Sequence, residues 1–206
     1  MDPTEALNAL PDVLPRVPFF YLRHGETEWN KNRLAQGQTD IPLNTTGRDQ
    51  AAASIPLLTG HGATRIIASP LKRAYETAEI VNRSLKLQIT RHEGFMERAF
   101  GDFEGKPWVS GFVDQDFEGA ETLAAFTTRI LIALEETLTR YPGPVLLVCH
   151  GGVYRRLAKV LCGLPDAKAP NSAPFRFDPP SESGAHWRIT PLDPAPKSAT
   201  PQKTTY

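Results

Sequence analysis

The run Pro142-Gly143-Pro144-Val145-Leu146-Leu147-Val148-Cys149-His150-Gly151-Gly152 decides the fold. Its centre is continuously apolar and rich in branched side chains. A strand with one wet face alternates polar and apolar residues; a strand covered on both faces need not. Pro-Gly-Pro before it and His-Gly-Gly after it punctuate the run at strand length. It therefore reads as a strand of a parallel sheet with layers on both sides. Working outward, Phe19-Phe20-Tyr21-Leu22 and Arg65-Ile66-Ile67-Ala68-Ser69 are runs of the same kind, and 85–90 is a weaker third. Helical segments fill the gaps: 47–58 behind the cap-like pair Thr45-Thr46, 71–84, 121–140 with Leu123, Phe126, Ile130, Leu134 and Leu138 at helical spacing, and 153–161. Phe175-Arg176-Phe177 and Trp187-Arg188-Ile189 alternate, as an edge hairpin does. Strand-then-helix order predicts an α/β fold, a three-layer α/β/α sandwich on a mostly parallel central sheet.

The 206 residues suit about one domain. Lys+Arg and Asp+Glu are 23 each, so the formal net charge is zero. A general nucleic-acid binder needs a basic excess, which argues against nucleic acid as a partner. No apolar run reaches the ~18 residues of a membrane span, and no secretory leader is read at the N-terminus. Two cysteines, Cys149 and Cys162, are too few for a disulfide framework, and the expectation is reduced thiols in a cytoplasmic protein. Four prolines punctuate 1–17 and its edge, an irregular lead-in, and the Pro-rich stretch 193–206 reads as a disordered tail.

Three points look chemical, and each lies just past a strand's C-terminal end, where open α/β sheets bind ligands. The first is Arg23-His24-Gly25-Glu26-Thr27, with Trp29-Asn30 behind it. A guanidinium beside a neutral imidazole suits a phosphate: the first grips oxygens while the second attacks phosphorus. The second is Ser69-Pro70-Leu71-Lys72-Arg73, which sends Arg73 into the same crevice. The third is His150-Gly151-Gly152, a second imidazole at a helix N-terminus whose free N–H groups favour an anion.

Together these motifs resemble those of the histidine phosphatase superfamily, also called the phosphoglycerate mutase-like family. The resemblance adds Gln36-Gly37, Asp40-Ile41-Pro42-Leu43-Asn44, Thr46-Gly47, Thr77-Ala78, and Glu97 ahead of Gly101-Asp102-Phe103-Glu104-Gly105. It spans 19–192 and implies a histidine phosphatase domain over 18–192. It implies that His24 is the nucleophile that becomes phosphohistidine. Arg23, Arg73 and His150 then form the phosphate pocket with a hydrogen bond from Asn30, and Gln36, Gly37 and Gly151 line it. From spacing alone, Glu93, Glu97, Asp102 and Glu104 are equal candidates for the general acid; the family pattern selects Glu97. Glu104 is then expected to order loop backbone.

The expected function is a phosphatase acting on a small phosphorylated metabolite, with no cofactor and no metal. A phosphoglycerate mutase using the same phosphohistidine is the alternative, and an inactive phospho-ligand-binding module a third. The stretch 106–120 is shorter than the lid of many relatives, which favours hydrolysis. Trp108, Phe112 and Phe117 either line the pocket mouth or pack this short lid onto the sheet. Whether the protein is a monomer or a dimer is open.

Overall fold

A computed structural model describes residues 14–108, 115–116, 118–182 and 184–193. The sheet strands are β1 (Phe19–Arg23), β2 (Arg65–Ala68), β3 (Ile89–Arg91), β4 (Val145–Cys149), β5 (Pro174–Asp178) and β6 (Arg188–Pro191). The helices are α1 (Glu28–Lys31), α2 (Thr45–Ala53), α3 (Ile55–Leu58), α4 (Lys72–Leu85), α5 (Leu123–Arg140) and α6 (Gly151–Cys162). Short 3₁₀ turns occupy Glu93–Phe95 and Gly101–Phe103.

Strand order is β3-β2-β4-β1-β5-β6. β1, β2, β3 and β4 run parallel, and β5 and β6 add an antiparallel hairpin beside β1. β4 is buried throughout, as its unbroken apolar run requires. Because side chains alternate across a strand, β1 sends Phe19 and Tyr21 to one face and Phe20 and Leu22 to the other. Phe19 and Tyr21 pack with Ile67, Leu147, Phe126 and Ile130 of α5, and Val153 and Leu157 of α6. Phe20 and Leu22 pack with Ile66, Leu146, Leu58 of α3, and Ala78 and Val81 of α4. Two apolar layers, one per face, make the three-layer sandwich that the strand-helix alternation predicts.

Some local expectations change. The single helix expected over 47–58 is two, α2 and α3, broken at Ser54 because Pro56 lies in the first turn of α3. The cap of α2 is Asn44, whose side chain accepts from the Gly47 N–H at 2.8 Å; Thr45 and Thr46 lie inside the helix. The third strand shrinks to Ile89–Arg91 because α4 runs through Leu85 and Lys86 turns left-handed (φ 55°) to end it. The helix expected over 153–161 is α6, and it begins at Gly151, not Val153. Expectations for 1–13, Phe112, Phe117 and the tail past Asp193 fall outside the described residues.

The chain passes from β1 out to β2 and β3, and returns to insert β4 between β1 and β2. The carboxyl ends of β1, β2 and β4 are therefore neighbours at a switch in strand order. The parallel ladder continues one bond past each: His24 N–H donates to the Cys149 carbonyl at 2.9 Å, and Ser69 N–H to the Val148 carbonyl at 3.0 Å. Among the described residues, no helix is long and apolar enough to cross a membrane.

Candidate active site

A cavity of about 450 Å³ opens at this end of the sheet. That lies within the range of small-molecule sites. The nine residues that the family resemblance assigns to the site line this cavity or hold its lining. Arg23, His24, Asn30, Gln36, Gly37, Arg73, Glu97 and Gly151 face it directly, and His150 lies against His24 with ring centroids 5.2 Å apart.

His24 is buried on the loop after β1. Its Nδ1 lies 2.7 Å from the Gly25 carbonyl oxygen. A carbonyl only accepts, so Nδ1 carries the proton and Nε2 keeps its lone pair. Burial holds the imidazole well below its ordinary pKa; the neighbouring charges of Arg73 and Arg23 add to this, and the Gly25 hydrogen bond opposes it. The His24 imidazole is thus uncharged at neutral pH, with Nε2 free to act as a base or nucleophile. Its loop is packed at backbone distance: a Cβ on Gly25 would lie 2.2 Å from the Gly47 carbonyl oxygen. Gly25 N–H donates to Thr77 Oγ1 at 3.1 Å, and Asn171 Nδ2 donates to the His24 carbonyl at 2.9 Å.

Two guanidinium groups flank the imidazole. Arg23 donates from Nη1 to the Ala169 carbonyl at 2.8 Å. Arg73, from the first turn of α4, donates to the Thr39 and Gly37 carbonyls at 2.9 and 2.7 Å. Burial pushes Arg73 down to about 10, still charged at neutral pH, and also lowers Arg23. Both Nε atoms are buried without a hydrogen-bond partner among the described residues, as is Nδ1 of His150. His150 is fixed by Ser69 Oγ at 2.7 Å from Nε2, and by the Tyr21 hydroxyl, which donates to its carbonyl. Burial, then Arg73, keeps this second imidazole well below its ordinary value too. The arrangement is a positive socket with unpartnered N–H donors, a setting that suits an oxyanion.

Gly37 sits at φ 54°, and a Cβ there would overlap the Glu104 carboxylate. Glu104 gathers this loop: it accepts from the N–H groups of Gln38, Thr39 and Phe100 at 2.8–3.0 Å, and from the Thr39 hydroxyl. It orders backbone, and through Gly37 and Thr39 it sets where Arg73 points. Gln36 and Asn30 line the wall through Thr27, whose hydroxyl contacts both side chains, and Thr27 caps α1.

Glu97 reaches the cavity from the opposite side. Its Oε2 accepts from Gly152 N–H at 2.8 Å and its Oε1 from Arg98 N–H at 3.0 Å. Glu93 opens a 3₁₀ turn and Asp102 lies in another; neither lines the cavity. Trp108 is 41 % exposed and forms part of the mouth, edge-on to Phe100 at 5.8 Å. Among the described residues, no three His, Cys, Asp or Glu side chains cluster as metal ligands.

The profile of the histidine phosphatase superfamily (branch 1) matches residues 19–176. The chain belongs to this superfamily. Its relatives include an uncharacterized phosphatase of Bacillus subtilis, PhoE, 40% identical over 146 residues, which cover 69% of this chain and 76% of that one. Phosphoglycerate mutase-like protein 4 of Arabidopsis thaliana is 34% identical over 154 residues, covering 66% of this chain and 67% of the relative. The structure of Bacillus stearothermophilus YhfR superposes with a TM-score of 0.74 at 26% identity, covering 85% of this chain and 96% of that one. As a histidine phosphatase superfamily member with relatives of both names, the chain is a phosphatase or mutase type of enzyme.

The sequence reading missed several supports of the site. Asn171 lies in a loop with no motif, and Arg129 sits on α5 at an unremarked position. Ser69 and Thr77 stand within quoted motifs, but only the fold shows whom they touch.

Proposed function

We propose that this enzyme hydrolyses a small phosphomonoester through a phosphohistidine on His24. The observation that carries the reading is the His24 imidazole, deprotonated at Nε2 and seated between Arg23 and Arg73. Nε2 attacks phosphorus as the bond to the ester oxygen breaks. Arg23, Arg73 and His150 meet the charge on the equatorial oxygens, where positioning and electrostatics supply most of the catalysis. Glu97, in its protonated form, passes its proton to the departing alkoxide. Water then attacks the phosphohistidine, Glu97 takes the water's proton, and inorganic phosphate leaves. The arginines supply the positive charge that a divalent ion supplies at other phosphoryl-transfer sites, so no metal enters this scheme.

The same phosphohistidine would serve a mutase, a reading favoured by the name of the Arabidopsis relative. The short 106–120 segment, with Pro107, Gly111 and Gly119, supports hydrolysis instead. A mutase has to exclude water while its intermediate turns round, which calls for a substantial lid. An inactive binding module has no need of a complete set of His24, Glu97, Arg23, Arg73 and His150.

The test is to mix enzyme with a ³²P-labelled phosphomonoester in excess chelator and quench in alkali. A base-stable, acid-labile adduct on His24, absent in His24→Ala, is expected. Full activity of His24→Ala, or a rate that chelator abolishes and added metal restores, overturns the scheme. With 3-phosphoglycerate and a bisphosphoglycerate primer, isomerisation outpacing phosphate release would establish the mutase.

A further inference from the structure

The residues around Glu97 have no strand or helix to hold them. Residues 96–100 form irregular backbone between two 3₁₀ turns, yet Phe95, Arg98 and Phe100 are buried. Buried carbonyls without a ladder need other donors. Side chains supply several of them. Gln38 Nε2 donates to the Glu97 carbonyl at 3.1 Å. Arg129 on α5 donates from Nη1 to the carbonyls of Gly94 and Met96, both at 3.0 Å, and from Nη2 to the Glu97 carbonyl at 3.4 Å. The remaining donors go to Glu121: Nε to Oε1 at 2.9 Å and Nη2 to Oε2 at 2.7 Å. All five guanidinium hydrogens are therefore committed. Glu121 also closes on the same segment, accepting from Ala99 N–H at 3.3 Å and from Arg98 Nε through its own carbonyl at 2.7 Å. The pair is largely buried, with side chains 26% and 17% exposed.

From this we infer that Arg129, oriented by Glu121, is a positioning residue for the general acid, an inference that rests on the reading of Glu97 given above. The guanidinium replaces a strand partner for the acid-bearing backbone and aims the Glu97 carboxyl at Gly152 N–H and the cavity. A lysine cannot do the same, because an ammonium has three donors and no planar fork.

Positioning through Glu97 has a signature that loose packing lacks. An ethyl phosphate leaving group needs the acid's proton, whereas p-nitrophenolate departs largely without it. In Arg129→Lys, kcat/KM for ethyl phosphate is expected to fall roughly 10–100-fold. For p-nitrophenyl phosphate the fall should stay under about threefold. Glu97→Gln should show the same selectivity on a larger scale, roughly 10²–10⁴-fold for the alkyl ester. In a Glu97→Gln background, adding Arg129→Lys should change the ethyl phosphate rate by less than about twofold, since a residue acting through Glu97 loses its effect once Glu97 is disabled. If Arg129→Lys is too unstable to assay, Glu121→Gln carries the same expectations. Equal losses on both esters, or a full second loss in the double variant, overturn the positioning role while a selective Glu97→Gln leaves the acid assignment standing. An unselective Glu97→Gln overturns both.

Discussion

The socket around His24 and the segment bearing Glu97 meet at Gly152, yet they are held by different kinds of bond. His24 and Ser69 are fixed by backbone bonds that prolong the β1–β4 and β2–β4 ladders. The Glu97 segment has no ladder and depends on side chains: Arg129 and Gln38 on its carbonyls, and Arg98 tied to Glu121 and Asp116. A socket built on sheet ends inherits the rigidity of the core, and losing one side chain there removes chemistry more than position. On the acid side, side chains are themselves the scaffold, so losing one of them costs position as well.

The largest effect that would sharpen this contrast is Arg73→Ala. It removes a charge beside His24, and if His24 is the nucleophile as proposed the expected loss in kcat/KM is roughly 10³-fold, in line with removal of a strong oxyanion donor. Because the phosphoryl group is common to all substrates, the loss should be equal for ethyl and p-nitrophenyl phosphates. A loss confined to the alkyl ester would merge the two sides of the pocket into one.

Gly152→Ala probes the meeting point. A Cβ there would lie 2.1 Å from Glu97 Oε1, so the carboxylate must move. The alkyl ester rate should fall roughly 10–100-fold, while inhibition by vanadate, which reads the socket, should shift by less than about threefold. Unchanged kinetics on ethyl phosphate would mean that Glu97 works from another pose.

The smallest effect is on stability. His24 and His150 both have folded-state pKa values depressed below the ordinary 6.5, chiefly by burial. As pH falls, the unfolded chain takes up these protons first. Stability is therefore full above about pH 6.5 and declines below it, by up to about 1.4 kcal/mol per pH unit for each imidazole, until the folded values are reached. Urea midpoints from pH 8 to 5 should decline for the native enzyme and less steeply for a His24→Asn variant. Identical slopes would assign the acid sensitivity to other groups.

The same contrast explains what was legible in the sequence. Val145 to Cys149 announced its own burial because both faces of β4 are covered, and the histidines and arginines of the socket follow strand ends that local pattern reveals. Spacing did not separate the four carboxylates of one stretch; the family pattern pointed to Glu97, and it is the one of the four that lines the cavity. Arg129 and Asn171 act on backbone 32 and 147 residues away, which leaves no periodic trace. The break at Ser54 was written in Pro56 but masked by a helical pattern that continues on both sides. Asn44 was passed over as a cap because Thr45 and Thr46, equally good capping types, stand next to it.

The placement of β1 has a consequence for how the enzyme is made. Its partners are β4, with Tyr21 opposite Leu147, and β5, with Tyr21 opposite Phe175. At roughly 5–20 residues per second, a ribosome delivers Leu147 on the order of ten seconds after Tyr21. Phe19, Phe20, Tyr21 and Leu22 wait through that interval with neither neighbour in place, although all four are fully buried in the finished protein. The strand that presents His24 is thus synthesised well before either of its neighbours, and its apolar side chains are open to wrong partners in the meantime.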